Sequence, residues 1–293
     1  MMRLAQPGDV PRLKEIWALC FGDSAEYIDF YFAHRFVPEQ VMVHEEDEIS
    51  AMLSMLPLTL YTAGGADPAI YIYAVATHPD YQRLGIGGRL LIHTHDYLQR
   101  QGVALSVLVP SSDKLFAYYR RFAFDKRLDV VEQRYFTGDL SAATENPITP
   151  GAVGKLVPLS LSDFILQRRR FLSPQKSYFH WDEAALEYQF QVSGMTGGIF
   201  QLDLADCSSI YPDCSGYVVV EKDSDTIYIK ETSFPACQAF AVAASVQHEF
   251  DGSSCCIRFP ATEPSPLVRP FALASLYKET IELSGTYFGL VLD

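Results

Sequence analysis

One glycine-rich segment of the sequence contains residue types that bind phosphate groups: Gln82-Arg83-Leu84-Gly85-Ile86-Gly87-Gly88. The first turn of a helix exposes backbone N–H groups that have no partner inside the helix, and the helix dipole adds positive charge there. An anion such as a pyrophosphate therefore binds at a helix N-terminus, and glycine lets the backbone approach it closely. If the segment begins a helix, it predicts a phosphate site. The alternative is a glycine-rich turn without a ligand.

The patterns on either side place this segment between a strand and a helix. Residues 70–77 are rich in tyrosine and β-branched residues, which predicts a strand. Apolar residues recur at helical spacing over residues 86–101, so a helix is predicted to begin inside the segment. A dinucleotide-binding turn would need G-x-G-x-x-G with an acidic residue about twenty positions later, and that spacing is absent.

Other elements of the first half are predicted around this strand and helix. The apolar run 103–109 is typical of a central strand covered on both faces. A short helix over 114–121 and a strand over 129–136 follow it. Earlier in the chain, the patterns predict two helices and two strands, at 10–21, 24–36, 41–44 and 49–61.

The second half repeats this order of elements. Residues 138–151 are small, polar and proline-containing, which predicts a linker between domains at 1–137 and 152–293. After it we expect helices at 161–171, 182–192 and 236–250 and strands at 199–204, 216–222, 226–232, 255–260 and 286–292. No glycine loop lies between Thr232 and the helix after Pro235. The second domain is therefore expected to be a degenerate structural copy of the first.

Two segments resemble those of the GCN5-related N-acetyltransferases, the GNAT superfamily. The residues from Ala74 to Gly87 are similar to the family's phosphate-binding motif, Q/R-x-x-G-x-G/A preceded by V-x-P-x-Y-like residues. Residues 119–124 resemble its L-Y-x-K-x-G-F segment, with Tyr119 on the tyrosine and Ala123 where glycine is usual. Ser112 stands where many members have an asparagine that contacts the cofactor. The resemblance covers residues 1–137.

The resemblance implies an α/β fold with a mixed sheet. The two-part chain is most similar to the enhanced-intracellular-survival (Eis) branch, in which a GNAT domain is followed by a GNAT-like one. The implied architecture is a tandem of GNAT-like acyl-CoA N-acyltransferase folds, the second degenerate. That branch also has a C-terminal sterol-carrier-like domain, for which this sequence is expected to be too short. No role of that domain's terminal carboxylate is therefore transferred to Asp293.

The resemblance also implies an activity, the transfer of an acetyl or other acyl group from acetyl-CoA to a primary amine of a small molecule or a peptide. In this activity the amine attacks the thioester directly, without a metal or a covalent enzyme intermediate. The backbone of residues 75–77 would pair with the pantetheine arm and donate to the oxyanion, and Tyr119 would protonate the leaving thiolate. The residues implied to hold acyl-CoA are Val75, Ala76, Thr77, Gln82, Arg83, Leu84, Gly85, Ile86, Gly87, Gly88 and Ser112.

Three questions stay open from the sequence. Tyr119 could pack in the core while Tyr118 faces the cofactor. No general base is identified, and the residues near the motif strands that could serve are His34, His44, Glu45, Glu46 and His78. The alternative function is a sensor or scaffold that binds acyl-CoA without turning it over, because the phosphate loop would serve both functions.

Composition limits the class of protein. The formal net charge of −13 argues against nucleic acid as a partner, since phosphate backbones are bound by basic surfaces, and it agrees with an amine acceptor. No apolar stretch is long enough to span a membrane, and the N-terminus lacks the apolar region of a signal peptide, so we expect a cytoplasmic protein. The cysteines and histidines show no zinc-ligand spacing, so no metal is expected.

Overall fold

The computed structural model describes residues 1–138, 152–205, 214–261 and 265–291. The chain forms two compact units, and each combines segments from different parts of the sequence. Unit 1 contains Met1–Leu128, Phe179–Asp182 and Phe271–Ser284, and unit 2 contains Asp129–Tyr178, Glu183–Pro270 and Gly285–Asp293. The predicted linker at 138–151 lies outside the described residues except for its first residue.

Unit 1 is a mixed sheet with helices. Its strands follow the order β1-β2-β3-β4-β5-β13, and only the pair β4–β5 is parallel. The strands are β1 (Met2–Leu4), β2 (Val41–Glu45), β3 (Ile49–Thr62), β4 (Gly65–Thr77), β5 (Leu105–Leu108) and β13 (Val268–Leu276). The short strand β8 (Tyr178–His180) pairs with β3 outside this order. The helices are α1 (Val10–Phe21), α2 (Ala25–His34), α3 (Ile86–Arg100) and α4 (Asp113–Arg120).

Unit 2 has the same kind of sheet. Its strands follow the order β6-β12-β11-β10-β9-β7, and among the pairs of this order that the structure describes only β11–β12 is parallel. The strands are β6 (Lys126–Phe136), β7 (Ala152–Pro158), β9 (Gly198–Ala205), β10 (Ser215–Asp223), β11 (Thr226–Thr232) and β12 (Ser254–Pro260). The helices are α5 (Leu161–Leu172), α6 (Glu183–Thr196) and α7 (Ala239–Glu249).

Each unit completes its sheet with a strand from the other part of the sequence. Strand β6 follows α4 along the chain but pairs with β12, from Val130 opposite Pro260 to Phe136 opposite Ser254. Strand β13 follows β12 but pairs with β5, from Leu273 opposite Leu108 to Leu276 opposite Leu105. The domain boundaries 1–137 and 152–293 do not anticipate this exchange, because the pattern of a strand predicts that it pairs but not with which neighbour.

Other elements also differ from the predictions. The strands β1, β7 and β8 were not predicted. Strand β13 was not predicted, since Pro270 interrupts its pattern. Residues 286–292 were predicted to be a strand, but the described part of this segment forms only an isolated bridge at Tyr287. Residues 286–291 are buried in irregular structure apart from this bridge, and an apolar run is compatible with either arrangement.

The exchanged strands contribute to the cores. The core of unit 1 joins residues of α3, α4 and the sheet, among them Leu90, Leu108 and Leu273 of β13. The core of unit 2 includes Val131 of β6. Among the described residues, no helix has the length and apolar character needed to cross a membrane.

We predict that residues 1–137 expressed alone will not form unit 1. Strand β5 would lose its antiparallel neighbour, and the core would lose Phe271 and Leu273, each of which contributes about 1.5–3 kcal/mol through burial. The fragment should give a poorly dispersed amide NMR spectrum and no cooperative urea transition, whereas the full chain should give both a dispersed spectrum and a cooperative transition. A fragment that unfolds cooperatively would contradict the need for β13.

Candidate functional site

The glycine loop leads into α3 without a side-chain cap. Gly85 is the N-cap residue with φ 74°, and Arg83 also has a positive φ of 65°. The first helical hydrogen bond is donated by the Arg89 N–H to the Gly85 carbonyl, at 3.1 Å. The N–H groups of the preceding helix residues therefore have no partner within α3. Because residues 82–85 are exposed, this end of the helix is open to an anion.

Two side chains hold the loop by binding carbonyl oxygens. The Arg89 guanidinium donates to the Leu84 carbonyl at 2.9 Å, and the Gln82 amide donates to the Thr77 carbonyl at 3.1 Å. These bonds occupy acceptors of the loop and of the preceding strand. The unpaired backbone groups at the start of α3 are thus donors, which favours binding of a negatively charged group.

Gly87 and Gly88 keep the first turn of α3 free of side chains. A Cβ atom on Gly87 would lie 3.2 Å from Thr77 Oγ1 and 3.3 Å from Tyr118 Oη. A Cβ atom on Gly88 would lie 2.5 Å from Cζ of Phe122, so the ring packs directly on the helix backbone. The loop, the end of β4 and Tyr118 therefore meet at one place. N–H donors in a turn without side chains fit the phosphate groups of a coenzyme A thioester.

Strand β4 separates from its parallel neighbour just before the loop. The pairing of β4 with β5 ends at Tyr71 opposite Val107, whereas β4 continues to Thr77. On its other side, the register with β3 shifts between Met52 and Ser54, and Ala74 has φ 50°, which marks a β-bulge. The residues predicted to contact pantetheine, 75–77, thus lie on a strand edge beyond the β4–β5 ladder, where an extended ligand could pair with the backbone.

Helix α4 carries the two candidate tyrosines on different faces. The Tyr119 side chain is 8% exposed, belongs to the unit 1 core and packs edge-on against Phe124. The Tyr118 side chain is half-buried and its hydroxyl lies beside Gly87. Burial raises the pKa of both phenols, so both are protonated at neutral pH. Ser112 is the exposed N-cap residue of α4, and its side chain does not cap the helix.

The candidate bases are dispersed. His44 is buried with Nδ1 2.7 Å from Ser50 Oγ, and burial lowers its pKa. Glu45 pairs with Arg3, which lowers the pKa of that carboxyl. The Nδ1 atom of His78 accepts a hydrogen bond from the Asp80 N–H. His34 stacks on Phe30, and the Glu46 carboxylate lies 3.5 Å from His44. The geometry does not single out one of these groups as a base.

Aromatic side chains surround the bulge end of β4, and the sequence did not identify them as a group. Tyr73 immediately precedes the bulge residue, and its hydroxyl lies 3.0 Å from that of Tyr27. The Trp17 ring packs against both Tyr73 and Tyr27. The available signal was the run of aromatic residues in α2, which includes Tyr27.

The described residues contain no group of three or more His, Cys, Asp or Glu side chains placed to hold a metal ion.

Comparison with known proteins relates the first part of the chain to acetyltransferases. Residues 1–126 match a family model described as an acetyltransferase (GNAT) domain. No protein with a curated description matches the sequence.

Solved structures are similar to nearly the whole chain. An Enterococcus faecalis protein described as a probable N-acyltransferase matches with a TM-score of 0.67 and 17% identity, covering 95% of this chain and 73% of that one. A GCN5-related N-acetyltransferase from Anabaena variabilis matches with a TM-score of 0.66 and 17% identity, covering 94% and 72%. Eis1 from Mycobacterium abscessus matches with a TM-score of 0.62 and 14% identity, covering 94% and 74%. At these identities the likeness establishes the tandem fold alone.

We predict opposite effects for two alanine-to-glycine substitutions near α4. Ala123 has φ 63°, a conformation that costs an alanine about 1–2 kcal/mol, so Ala123→Gly should stabilise by about 0.5–1 kcal/mol after the entropy cost of glycine. Ala117→Gly, at an exposed position inside the helix, should destabilise by about 1 kcal/mol. Urea unfolding measures both values, and equal destabilisation would contradict strain at Ala123.

Proposed function

We propose that this chain, whose residues 1–126 match the acetyltransferase (GNAT) domain, is a member of the GCN5-related N-acetyltransferase (GNAT) superfamily and transfers an acetyl or other acyl group from acyl-CoA to a primary amine of a small molecule or a peptide. The observation that carries the proposal is the uncapped N-terminus of α3 beside a strand, β4, that has left its parallel neighbour. Together these features offer donors for the phosphates and a backbone edge for the pantetheine arm.

The parts of acyl-CoA are assigned along this path. The pyrophosphate would bind the backbone N–H groups of residues 83–88, with Arg83 adding positive charge at the exposed loop. The pantetheine amides would pair with the backbone of Val75, Ala76 and Thr77. Tyr118 would contact the phosphate end, because its hydroxyl lies beside Gly87. Ser112 remains a proposed contact at the start of α4.

The thioester would then lie at the bulge. A bulge leaves its extra residue without a partner on the neighbouring strand, so a backbone N–H near Ala74 is available to the thioester oxygen. A donor in that position would stabilise the oxyanion of the tetrahedral intermediate. The aromatic residues Tyr27 and Tyr73 beside the bulge would border the acceptor.

The proposed reaction is a direct displacement. An alkyl amine with a pKa of about 10.4 must first lose a proton to be nucleophilic. The amine nitrogen then attacks the thioester carbon, a C–N bond forms, and the C–S bond breaks as the oxyanion collapses. The leaving thiolate takes a proton from a phenol, the attacking nitrogen loses its extra proton and the phenolate regains one, so the products are an amide and free CoA.

Position along β4 distinguishes the two phenols. Strand residues advance by about 3.3 Å each, so the Thr77 end lies about 10 Å from the bulge at Ala74. Tyr118 sits at the Thr77 end and is therefore far from a thioester held at the bulge. Tyr119 lies on the core-facing side of α4, and it stays the proposed acid because residues 119–124 resemble the family segment that carries the tyrosine. Burial raises the pKa of the Tyr119 phenol, so the hydroxyl is protonated at neutral pH.

The first test is release of CoA thiol from acetyl-CoA with polyamines, aminoglycosides, lysyl peptides and amino acids as acceptors. We expect turnover with at least one amine, and saturating CoA, at about 100 times its Kd, should stabilise the wild type by about 2.7 kcal/mol. Gly87→Val places a side chain at the phosphate turn and should abolish both effects. Gly8→Val, at a site with no neighbour within 4 Å, should keep both. Stabilisation by CoA without turnover of any amine would favour the sensor or scaffold function.

The second test separates Tyr119 from Tyr118. Tyr119→Phe should lower kcat by about 10²–10⁴-fold, the usual cost of losing a general acid, with the KM for acyl-CoA nearly unchanged. Tyr118→Phe should instead raise the KM for acyl-CoA and leave kcat within a few fold. Thiol release at saturating amine measures both. A reversed pattern would transfer the acid role to Tyr118, and full activity of both variants would eliminate acid catalysis by either phenol.

A further inference from the structure

A polar network behind the phosphate turn holds α4 against α3. The ring of Phe122, just after α4, packs on the backbone of Gly88 in the first turn of α3. Tyr118 packs on the same ring, with 5.0 Å between ring centroids. These two rings form the wall beside the uncapped N–H groups. Whatever fixes Phe122 therefore also fixes the wall of the proposed phosphate site.

His95 of α3 fixes the backbone of Phe122. Its Nε2 atom lies 2.9 Å from the Phe122 carbonyl, and since a carbonyl only accepts, Nε2 carries the proton. In the neutral imidazole Nδ1 is then an acceptor, and it receives the hydroxyl proton of Tyr277. The Tyr277 oxygen accepts in turn from Ser106 Oγ at 2.7 Å. The hydrogen bonds run in one direction, from β5 through Tyr277 and His95 to the end of α4.

Tyr277 is held in place independently of this network. It follows the exchanged strand β13, and its N–H donates to the Ala104 carbonyl at 2.9 Å. The next residue, Lys278, also donates its N–H to Ala104 and pairs through its side chain with Asp67 at 2.7 Å. The backbone bonds therefore hold the Tyr277 hydroxyl in a position from which it orients the His95 ring.

We propose that Tyr277 and His95 are positioning residues for acyl-CoA binding: they hold Phe122 and Tyr118 against the first turn of α3 and so keep the phosphate turn open. The proposal rests on the proposed function. It assigns to the exchanged segment Phe271–Ser284 a direct influence on affinity for the coenzyme, in addition to its part in the fold.

The orientation of His95 is what the Tyr277 hydroxyl contributes. Without the Tyr277 hydroxyl, the His95 ring can rotate or change its tautomer, because no donor then faces Nδ1 and keeps it unprotonated. The Phe122 carbonyl then loses its bond to His95. The turn after α4 is still held by the bonds from the Arg121 N–H to the Tyr118 carbonyl and from the Phe122 N–H to the Tyr119 carbonyl, and by packing. Ala123, next in the chain, already has a strained positive φ, so this turn is poised to relax.

The experiment is calorimetric titration of the full chain with CoA, together with urea unfolding of each variant. Tyr277→Phe keeps the ring and removes the hydroxyl, and we expect the Kd for CoA to rise about 3- to 10-fold, the effect of one hydrogen bond. His95→Phe should have a similar effect, and the double variant should be no weaker than the worse single one, because the two residues act through one chain of bonds.

A matched control separates positioning from stability. Tyr97→Phe removes a phenol on the same helix that also packs on the unit 1 core but lies outside the network, and it should leave the Kd unchanged. If Tyr277→Phe does not fold, Ser106→Ala tests the same chain of bonds one step away. If the wild type binds CoA and Tyr277→Phe binds it with the same Kd, the positioning role is overturned but the proposed function is not. The same holds for Ser106→Ala where it replaces Tyr277→Phe. A wild type that binds no CoA overturns the proposed function and this inference with it.

Discussion

Helix α3 begins without a side-chain cap, and the rest of the site follows from this constraint. Backbone N–H groups that lack a partner are costly when buried, so this end of the helix has to face solvent or a ligand. The neighbouring donors are arranged accordingly. Gln82 and Arg89 bind carbonyl oxygens, Gly87 has no side chain to cover the turn, and Phe122 packs on the backbone of Gly88. The result is a turn whose remaining backbone groups are donors.

The opening between β4 and β5 depends on how β5 is held from its other side. The parallel ladder ends after the pair Tyr71–Val107, and a strand as short as β5 would be poorly fixed by that ladder alone. Strand β13 pairs with the opposite edge of β5 and carries Leu273 into the core. The second unit repeats the plan, with a parallel pair β11–β12 and β6 along the other edge of β12. In both units the second strand of the parallel pair is thus supported along its other edge by a strand from elsewhere in the sequence.

Much of this could be predicted from the sequence, for reasons that are local. The glycine loop, the strand before it and α3 after it depend on spacing and periodicity within a few turns of chain. The exchange of β6 and β13 could not be predicted, because a strand pattern does not name its partner. Spacing also could not separate Tyr118 from Tyr119, since neighbouring helix residues differ by about 100° in direction and only packing decides which faces the core. The network of Tyr277 was hidden because its members are far apart in sequence and each is unremarkable alone.

The exchange of strands also has a consequence for biosynthesis. As the chain leaves the ribosome, β5 is made before β13, and β6 is made before β12, so each waits with an unpaired edge while the intervening elements are synthesised. Exposed strand edges invite pairing with other chains, and distant pairings slow folding. Neither sheet can be completed until its last strand has been synthesised. At an intermediate stage the nascent chain therefore contains the glycine loop and α3 but not yet β13, which supports β5. We therefore expect its yield in cells to be sensitive to chaperones that shield unpaired strands.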